Sequence, residues 1–108
     1  MSRFAEVLAR LSATIESRRG GDPAASYTAR LLADPSLAGK KLGEEAIETV
    51  IAATQGDKDA LAAESADLIY HWLVVLVAAG VTLDEVAAAL EAREDQSGVE
   101  EKASRKKR

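Results

Sequence analysis

The segment from residue 57 to residue 79 is apolar on almost every side and yet contains two acids, Glu64 and Asp67. At 100° per residue, both acids share a stripe with alanines, valines and His71, while Leu73 lies on the opposite side. A buried carboxylate without a partner costs several kcal/mol, so such charges are paired, neutralised or bound to a cation. The segment therefore predicts a buried helix and marks Glu64 and Asp67 as functional residues.

The rest of the chain also has apolar residues at helical spacing, and no segment alternates with a period of two. Ser26, Asp57 and Thr82 stand where helix caps are expected, and Thr82 with Glu85 forms a capping box. Five helices are predicted, at residues 2–18, 26–32, 37–55, 57–79 and 82–93. The short connections favour an all-α fold, an antiparallel bundle of about four to five helices.

The composition limits the size of the fold and the strength of its core. A chain of 108 residues has room for one domain, which we place at residues 1–93, followed by a polar C-terminal tail at 94–108. Hydrophobic types make up 47% of the residues, but only 4% are aromatic, so the core is built from small and aliphatic side chains. Assembly with a second copy would help such a thin core.

Charge and residue usage exclude several classes of partner. A net charge of -4 and a pI near 5.0 argue against nucleic-acid binding. The longest apolar run, Leu68 to Ala79, is shorter than the roughly 20 residues that cross a bilayer, so no membrane association is expected. With no cysteine and no apolar N-terminal run, neither a disulfide framework nor a signal peptide is expected, and the expected location is the cytoplasm.

A second pair of acids, Glu45 and Glu48, lies 19 positions before Glu64 and Asp67 in the sequence, and Glu44 lies beside it. Residues three apart on a helix are neighbours on one face, with Cβ atoms about 5–6 Å apart. Each pair of carboxylates can therefore bind one cation. Taken alone, Glu45 and Glu48 share a side with Lys41 opposite Val50, which is also typical of a solvated face. The functional interpretation of this pair therefore depends on Glu64 and Asp67.

The ligand set consists of oxygen atoms only, which favours a hard cation such as Mg²⁺. The chain has no phosphate-binding glycine loop and no nucleophile triad. The economical reaction class is therefore attack of a metal-assisted water on a phosphoanhydride. A di-iron bundle would need Glu-x-x-His on two helices, and this sequence has none.

Two runs resemble the all-α nucleoside triphosphate pyrophosphohydrolases: KKLGEEAIE at residues 40–48 and ESADLIYH at residues 64–71. The first contains an E-x-x-E pattern and the second an E-x-x-D pattern. Two further segments, SYT at 26–28 and SGVEEKASR at 97–105, are similar to the phosphoribosyl-ATP pyrophosphohydrolase branch in particular.

This resemblance implies a homodimeric enzyme of histidine biosynthesis. Its expected reaction, the second step of that pathway, hydrolyses the α–β phosphoanhydride of phosphoribosyl-ATP to give phosphoribosyl-AMP and pyrophosphate. The implied Mg²⁺ ligands are Glu45, Glu48, Glu64 and Asp67. Either Glu44 or one of the ligand carboxylates would orient or deprotonate the attacking water, with Glu45 and Glu48 the other catalytic candidates.

Several further side chains are candidates for contacts with the substrate. They are cationic or aromatic and lie in the matching segments: Tyr27, Arg30, Lys40, Lys41, Lys102 and Arg105. The alternatives are surface ion pairs of the two lysines with Glu44 and Glu45, and a packing role for the tyrosine. His71, one turn after Asp67, is expected to orient Asp67 or a group of a partner chain.

Two other functions fit parts of the sequence. A pyrophosphohydrolase that removes damaged or deoxy nucleotides would use the same acids, although the SYT and EEKASR segments weigh against it. A non-enzymatic helical dimerisation module would carry the acids only as solvated groups. The placement of Glu64 and Asp67 among alanines and valines is awkward for that interpretation.

Overall fold

The computed structural model describes residues 2–94. Within this range the chain forms five α-helices and no strand, which confirms the predicted all-α fold. The helices are α1 Arg3–Ser17, α2 Tyr27–Ala33, α3 Pro35–Gln55, α4 Lys58–Ala79 and α5 Leu83–Glu91. The expected roles of Lys102 and Arg105 fall outside the described residues.

The helix starts follow from local capping chemistry. The side chains of Ser26, Asp57 and Thr82 each accept a hydrogen bond from the backbone N–H three residues later, at 3.0–3.1 Å. One start was predicted two residues too late: α3 begins at Pro35, because Asp34 caps it and proline is favoured in the first turn. The last helix ends at Glu91, two residues before the predicted end.

Two glycines set the geometry of the central helical hairpin. Gly56 ends α3 with a φ of 70°, and Gly80 ends α4 with a φ of 74°. This left-handed conformation is strained for residues with a Cβ, so glycine is the usual helix terminator here. Between α3 and α4 the chain reverses within two residues, Gly56 and Asp57. The two helices form an antiparallel pair, which is the most extensive helix–helix contact in the described chain.

The hydrophobic core lies around the second half of α4. Ile15 of α1, Leu31 of α2, and Leu73 and Val74 of α4 are the largest fully buried side chains. All buried residues of α4 lie between positions 71 and 77. The hairpin end near Gly56 is much less covered: on α3, Ile47, Val50 and Ile51 are exposed.

Helix α4 is long and apolar enough, by length and composition, to span a membrane, and is alone in this among the described residues. Only 22% of its most apolar window is buried within the chain. The core helix of a helical bundle in water can have the same length and hydropathy. Helix α4 also carries the polar residues Glu64, Asp67 and His71. The expectation of a buried helix holds for its second half, and its first half leaves apolar surface uncovered.

The location of the core predicts a contrast between two identical substitutions. Leu31→Ala removes a fully buried side chain and should lower the free energy of unfolding by about 2–5 kcal/mol. Leu90→Ala removes a side chain that is 60% exposed and should change it by no more than about 0.5 kcal/mol. Urea unfolding followed by circular dichroism measures both, and equal losses would contradict this placement of the core.

Candidate metal centre

Three carboxylates meet where α3 packs against α4. Glu45 and Glu48 come from α3 and Glu64 from α4, and each offers an oxygen within 4.8 Å of the others. Glu45 and Glu48 lie three residues apart on one helix face, and the antiparallel hairpin brings Glu64 opposite them. The structure thus brings together three of the four predicted metal ligands.

Two of these carboxylates have unmet bonding capacity. Glu45 Oε2 and Glu64 Oε2 are buried and have no hydrogen-bond partner among the described residues. Burial raises the pKa of both carboxyls above the ordinary value, and the adjacent Glu48 raises each further. Buried acceptors that repel one another and lack donors fit a divalent cation, which would satisfy the free oxygens and offset the clustered negative charge.

Asp67, the fourth predicted ligand, lies beside this group without belonging to it. Its side chain is exposed, so the expectation of burial holds for Glu64 and not for Asp67. Its negative charge nevertheless raises the pKa of both Glu45 and Glu64, which places it at the edge of the cluster. Glu44 is farther removed: it is exposed and forms an ion pair of 3.3 Å with Lys41.

The orientation of α3 decides between the two interpretations that its pattern left open for Glu45. A helix with glutamates on one side and Val50 on the other would ordinarily turn the glutamates to solvent. Here Glu45 is half-buried against α4, and Val50 is 60% exposed. Glu45 is therefore on the inner side of the hairpin, where the solvated-face interpretation does not apply to it, whereas Glu48 is exposed.

His71 forms a hydrogen-bonded link from the acids to α2. It is 8% exposed, and its Nδ1 lies 2.7 Å from the main-chain carbonyl oxygen of Asp67. A carbonyl only accepts, so Nδ1 carries the proton and, in the neutral ring, Nε2 accepts from the Tyr27 hydroxyl at 2.9 Å. Burial raises the pKa of Tyr27, which keeps this hydroxyl protonated.

The candidate substrate residues of the described range lie on α2 and at the start of α3. Tyr27 is 45% exposed, with its hydroxyl bound to His71 and its ring stacked on Tyr70 at 6.5 Å between centroids. The adjacent Thr28 hydroxyl also bonds to the Tyr70 hydroxyl, so α2 is fastened to α4 beside the acids. Arg30 and Lys40 are exposed, and Lys41 is half-buried.

One polar residue at the cluster was missed by the sequence reasoning. The Thr49 hydroxyl lies 2.8 Å from the carbonyl oxygen of Glu45 and 3.2 Å from that of Glu64. A threonine in a helix commonly bonds four residues back, and this gives no signal of a role between helices. The contact with Glu64 depends on how α3 and α4 pack, which no local pattern specifies.

The fold and the carboxylate cluster together define an all-α protein in which E-x-x-E and E-x-x-D acids lie on facing helices. The chain belongs to the phosphoribosyl-ATP pyrophosphohydrolase family, whose sequence profile matches residues 8–94. The family predicted from the motifs is thereby confirmed, and the chain is an enzyme rather than a helical dimerisation module.

Curated relatives extend the match to nearly the whole chain. The phosphoribosyl-ATP pyrophosphatase of Caulobacter vibrioides (strain NA1000 / CB15N) is 68% identical over 103 residues, covering 95% of this chain and 96% of its own. That of Caulobacter sp. (strain K31) is 66% identical, covering 97% and 98%. That of Cereibacter sphaeroides (strain KD131 / KCTC 12085) is 56% identical, covering 92% and 97%.

The raised pKa values predict that Glu64→Gln stabilises the metal-free protein at neutral pH. The native state holds protons on Glu45 and Glu64 more tightly than the unfolded chain, so stability is lost as pH rises through the raised values. A glutamine at position 64 removes one contributing charge. Thermal unfolding in EDTA from pH 5 to 8 should show a higher midpoint for the variant, with the gap widening as pH rises.

The control for this prediction is the same scan with Mg²⁺ in place of EDTA. A ligand that binds only the native state raises the midpoint by mass action, so the wild type should gain more than the variant. A variant that is less stable than the wild type in EDTA at pH 8 would contradict the unfavourable burial of Glu64.

Proposed function

We propose that this chain hydrolyses phosphoribosyl-ATP to phosphoribosyl-AMP and pyrophosphate, the second step of histidine biosynthesis, in the cytoplasm. The observation that carries the proposal is the pair of buried carboxylate oxygens without partners, Glu45 Oε2 and Glu64 Oε2, in a chain of this family. The substrate of a pyrophosphohydrolase is a polyanion. Because the carboxylates would repel its phosphates, a cation must lie between them before the substrate can bind.

Mg²⁺ is the proposed cofactor, held by Glu45, Glu48, Glu64 and Asp67. When bound, it would neutralise charge on the phosphates and on the leaving pyrophosphate. Glu45 and Glu64 would supply their free oxygens from the two helices, and Glu48 completes the group within 4.8 Å. Asp67 is exposed at the edge of the cluster and would be the fourth ligand.

The attacking water would be held by the carboxylates themselves. A base must lie within hydrogen-bond reach of the water it deprotonates, and Glu48 is the exposed member of the cluster. Glu44 is the other candidate of the sequence pattern, and its ion pair with Lys41 would have to open first. Direct attack of water on the α-phosphorus needs no covalent intermediate.

The substrate would approach along the α2 side of the cluster. Lys41 lies near Tyr27 and forms an ion pair with Glu44, and its ammonium would contact a phosphate of the substrate. Arg30 and Lys40 are exposed and available for phosphate contacts, and the exposed part of the Tyr27 ring offers a surface for the adenine. Lys102 and Arg105 are proposed to contact phosphate or ribose.

We also propose that the enzyme is a homodimer. The hairpin end near Gly56 exposes Ile47, Val50 and Ile51 on the outer side of α3, and α4 leaves most of its apolar window uncovered. A second copy of the same hairpin presents the same apolar surface, and pairing the two would complete a four-helix bundle. The proposed partner for this surface is therefore a second copy of the chain.

The first test measures pyrophosphate release by the purified chain with Mg²⁺ from phosphoribosyl-ATP, and in parallel from dUTP, dCTP and ATP. Turnover of phosphoribosyl-ATP alone is expected, with Glu64→Gln losing at least about a hundredfold in kcat because a ligand oxygen is lost. Glu6→Gln on α1 is the control variant, since Glu6 is an exposed acid outside the cluster.

Each other outcome of this assay has a definite meaning. Preferred turnover of dUTP or dCTP would be consistent with the metal site but would contradict the proposed substrate. The chain would then be a pyrophosphohydrolase that removes damaged or deoxy nucleotides. Full activity of Glu64→Gln would refute the metal role of the cluster.

The dimer proposal predicts that Ile47→Glu yields a monomer. A charge placed at a side chain that is 62% exposed costs the monomer little, but it would lie unpaired in the proposed interface. Phe4→Glu on α1, at a position that is 60% exposed, is the matched control and should remain dimeric. Sedimentation velocity distinguishes the two masses, and a dimeric Ile47→Glu protein would exclude this face.

A further inference from the structure

The Thr49 side chain joins the two helices that carry the acids. Its hydroxyl lies 2.8 Å from the Glu45 carbonyl oxygen on α3 and 3.2 Å from the Glu64 carbonyl oxygen on α4. Each carbonyl oxygen has a second lone pair beyond the one used in the helix, so both are acceptors for the single hydroxyl hydrogen. Thr49 therefore contacts the backbone of both residues that hold an unpartnered buried oxygen.

This contact is unusual for the hairpin. Among residues 2–94 it is the only hydrogen bond from a side chain of one of these helices to the backbone of the other. It lies at the level of the carboxylate cluster, where Glu45, Glu48 and Glu64 repel one another and push the helices apart. A bond between the helices at this point opposes that separation.

We propose that Thr49 is a positioning residue of the metal centre, which sets the distance between Glu45 and Glu64 and so holds the cluster ready for a cation. This inference rests on the proposed metal site. Cation binding requires ligand oxygens from both helices at fixed separation, and outer-sphere hydrogen bonds of this kind orient metal ligands. Loss of the hydroxyl would remove no carboxylate from the chain but would no longer fix the separation of the two helices, and the affinity for the cation would fall.

The test compares Thr49→Val and Thr49→Ser in the full chain. Valine keeps the shape of threonine and removes the hydroxyl, whereas serine keeps the hydroxyl and removes the methyl group. Titration with Mn²⁺, followed by the electron paramagnetic resonance signal of the free ion, should show about tenfold weaker binding for Thr49→Val. Thr49→Ser should bind within about twofold of the wild type, so that the loss follows the hydroxyl.

A second readout separates positioning from a general loss of stability. The metal-free unfolding midpoint of Thr49→Val should stay close to that of the wild type, and its hydrolytic activity should recover as Mg²⁺ is raised. If Thr49→Val does not fold, Thr49→Ala takes its place in the comparison with Thr49→Ser.

Three results would overturn the inference. Wild-type affinity in the variants without the hydroxyl would remove the role, and equal loss in Thr49→Ser would assign it to packing of the methyl group. A wild-type protein that binds no Mn²⁺ would refute the metal site itself, and the role of Thr49 with it. The first two results leave the metal site standing, so the failures are distinguishable.

Discussion

The packing of α3 against α4 brings carboxylates of two helices within 4.8 Å of one another, and the chemistry of this chain depends on that contact. Packing of this kind works against folding, because the clustered acids repel and two of their oxygens are buried without donors. The apolar core around Leu73 and Val74 supplies the stability that lets the hairpin keep this arrangement. A bound cation would reduce the repulsion between these acids and coordinate their unpaired oxygens.

Polar groups around the cluster bond to the main chain of the acidic residues more than to their carboxylates. His71 donates to the Asp67 carbonyl, and Thr49 lies within bonding distance of the Glu45 and Glu64 carbonyls. Such bonds fix the backbone while leaving carboxylate oxygens free for a ligand. Through Tyr27, the same network ties α2 to α4, so the candidate substrate residues are positioned by the group that contacts Asp67.

The limits of sequence reasoning are clearest on α3 and α4. An acid in an apolar helix is marked as functional only if its carboxylate is buried, which is the case for one oxygen of Glu64 but not for the exposed Asp67. On α3 the pattern left a solvated glutamate face open as an alternative, and the structure turns Glu45 toward α4 and Val50 outward. Hydrophobic periodicity assumes that a helix turns its apolar side inward within its own chain, and that assumption fails on α3, where Ile47, Val50 and Ile51 are exposed.

The sequence by itself determined the five helices, most of their ends and the family, because caps, glycine terminators and acid motifs act over three or four neighbouring residues. It also identified Glu45, Glu48 and Glu64 as residues that belong together. Only the tertiary structure decided which side of α3 faces α4, that Asp67 lies at the edge of the cluster, and that Thr49 bridges two helices. These features depend on the rotation of one helix against another, which side chains distant in the chain set jointly.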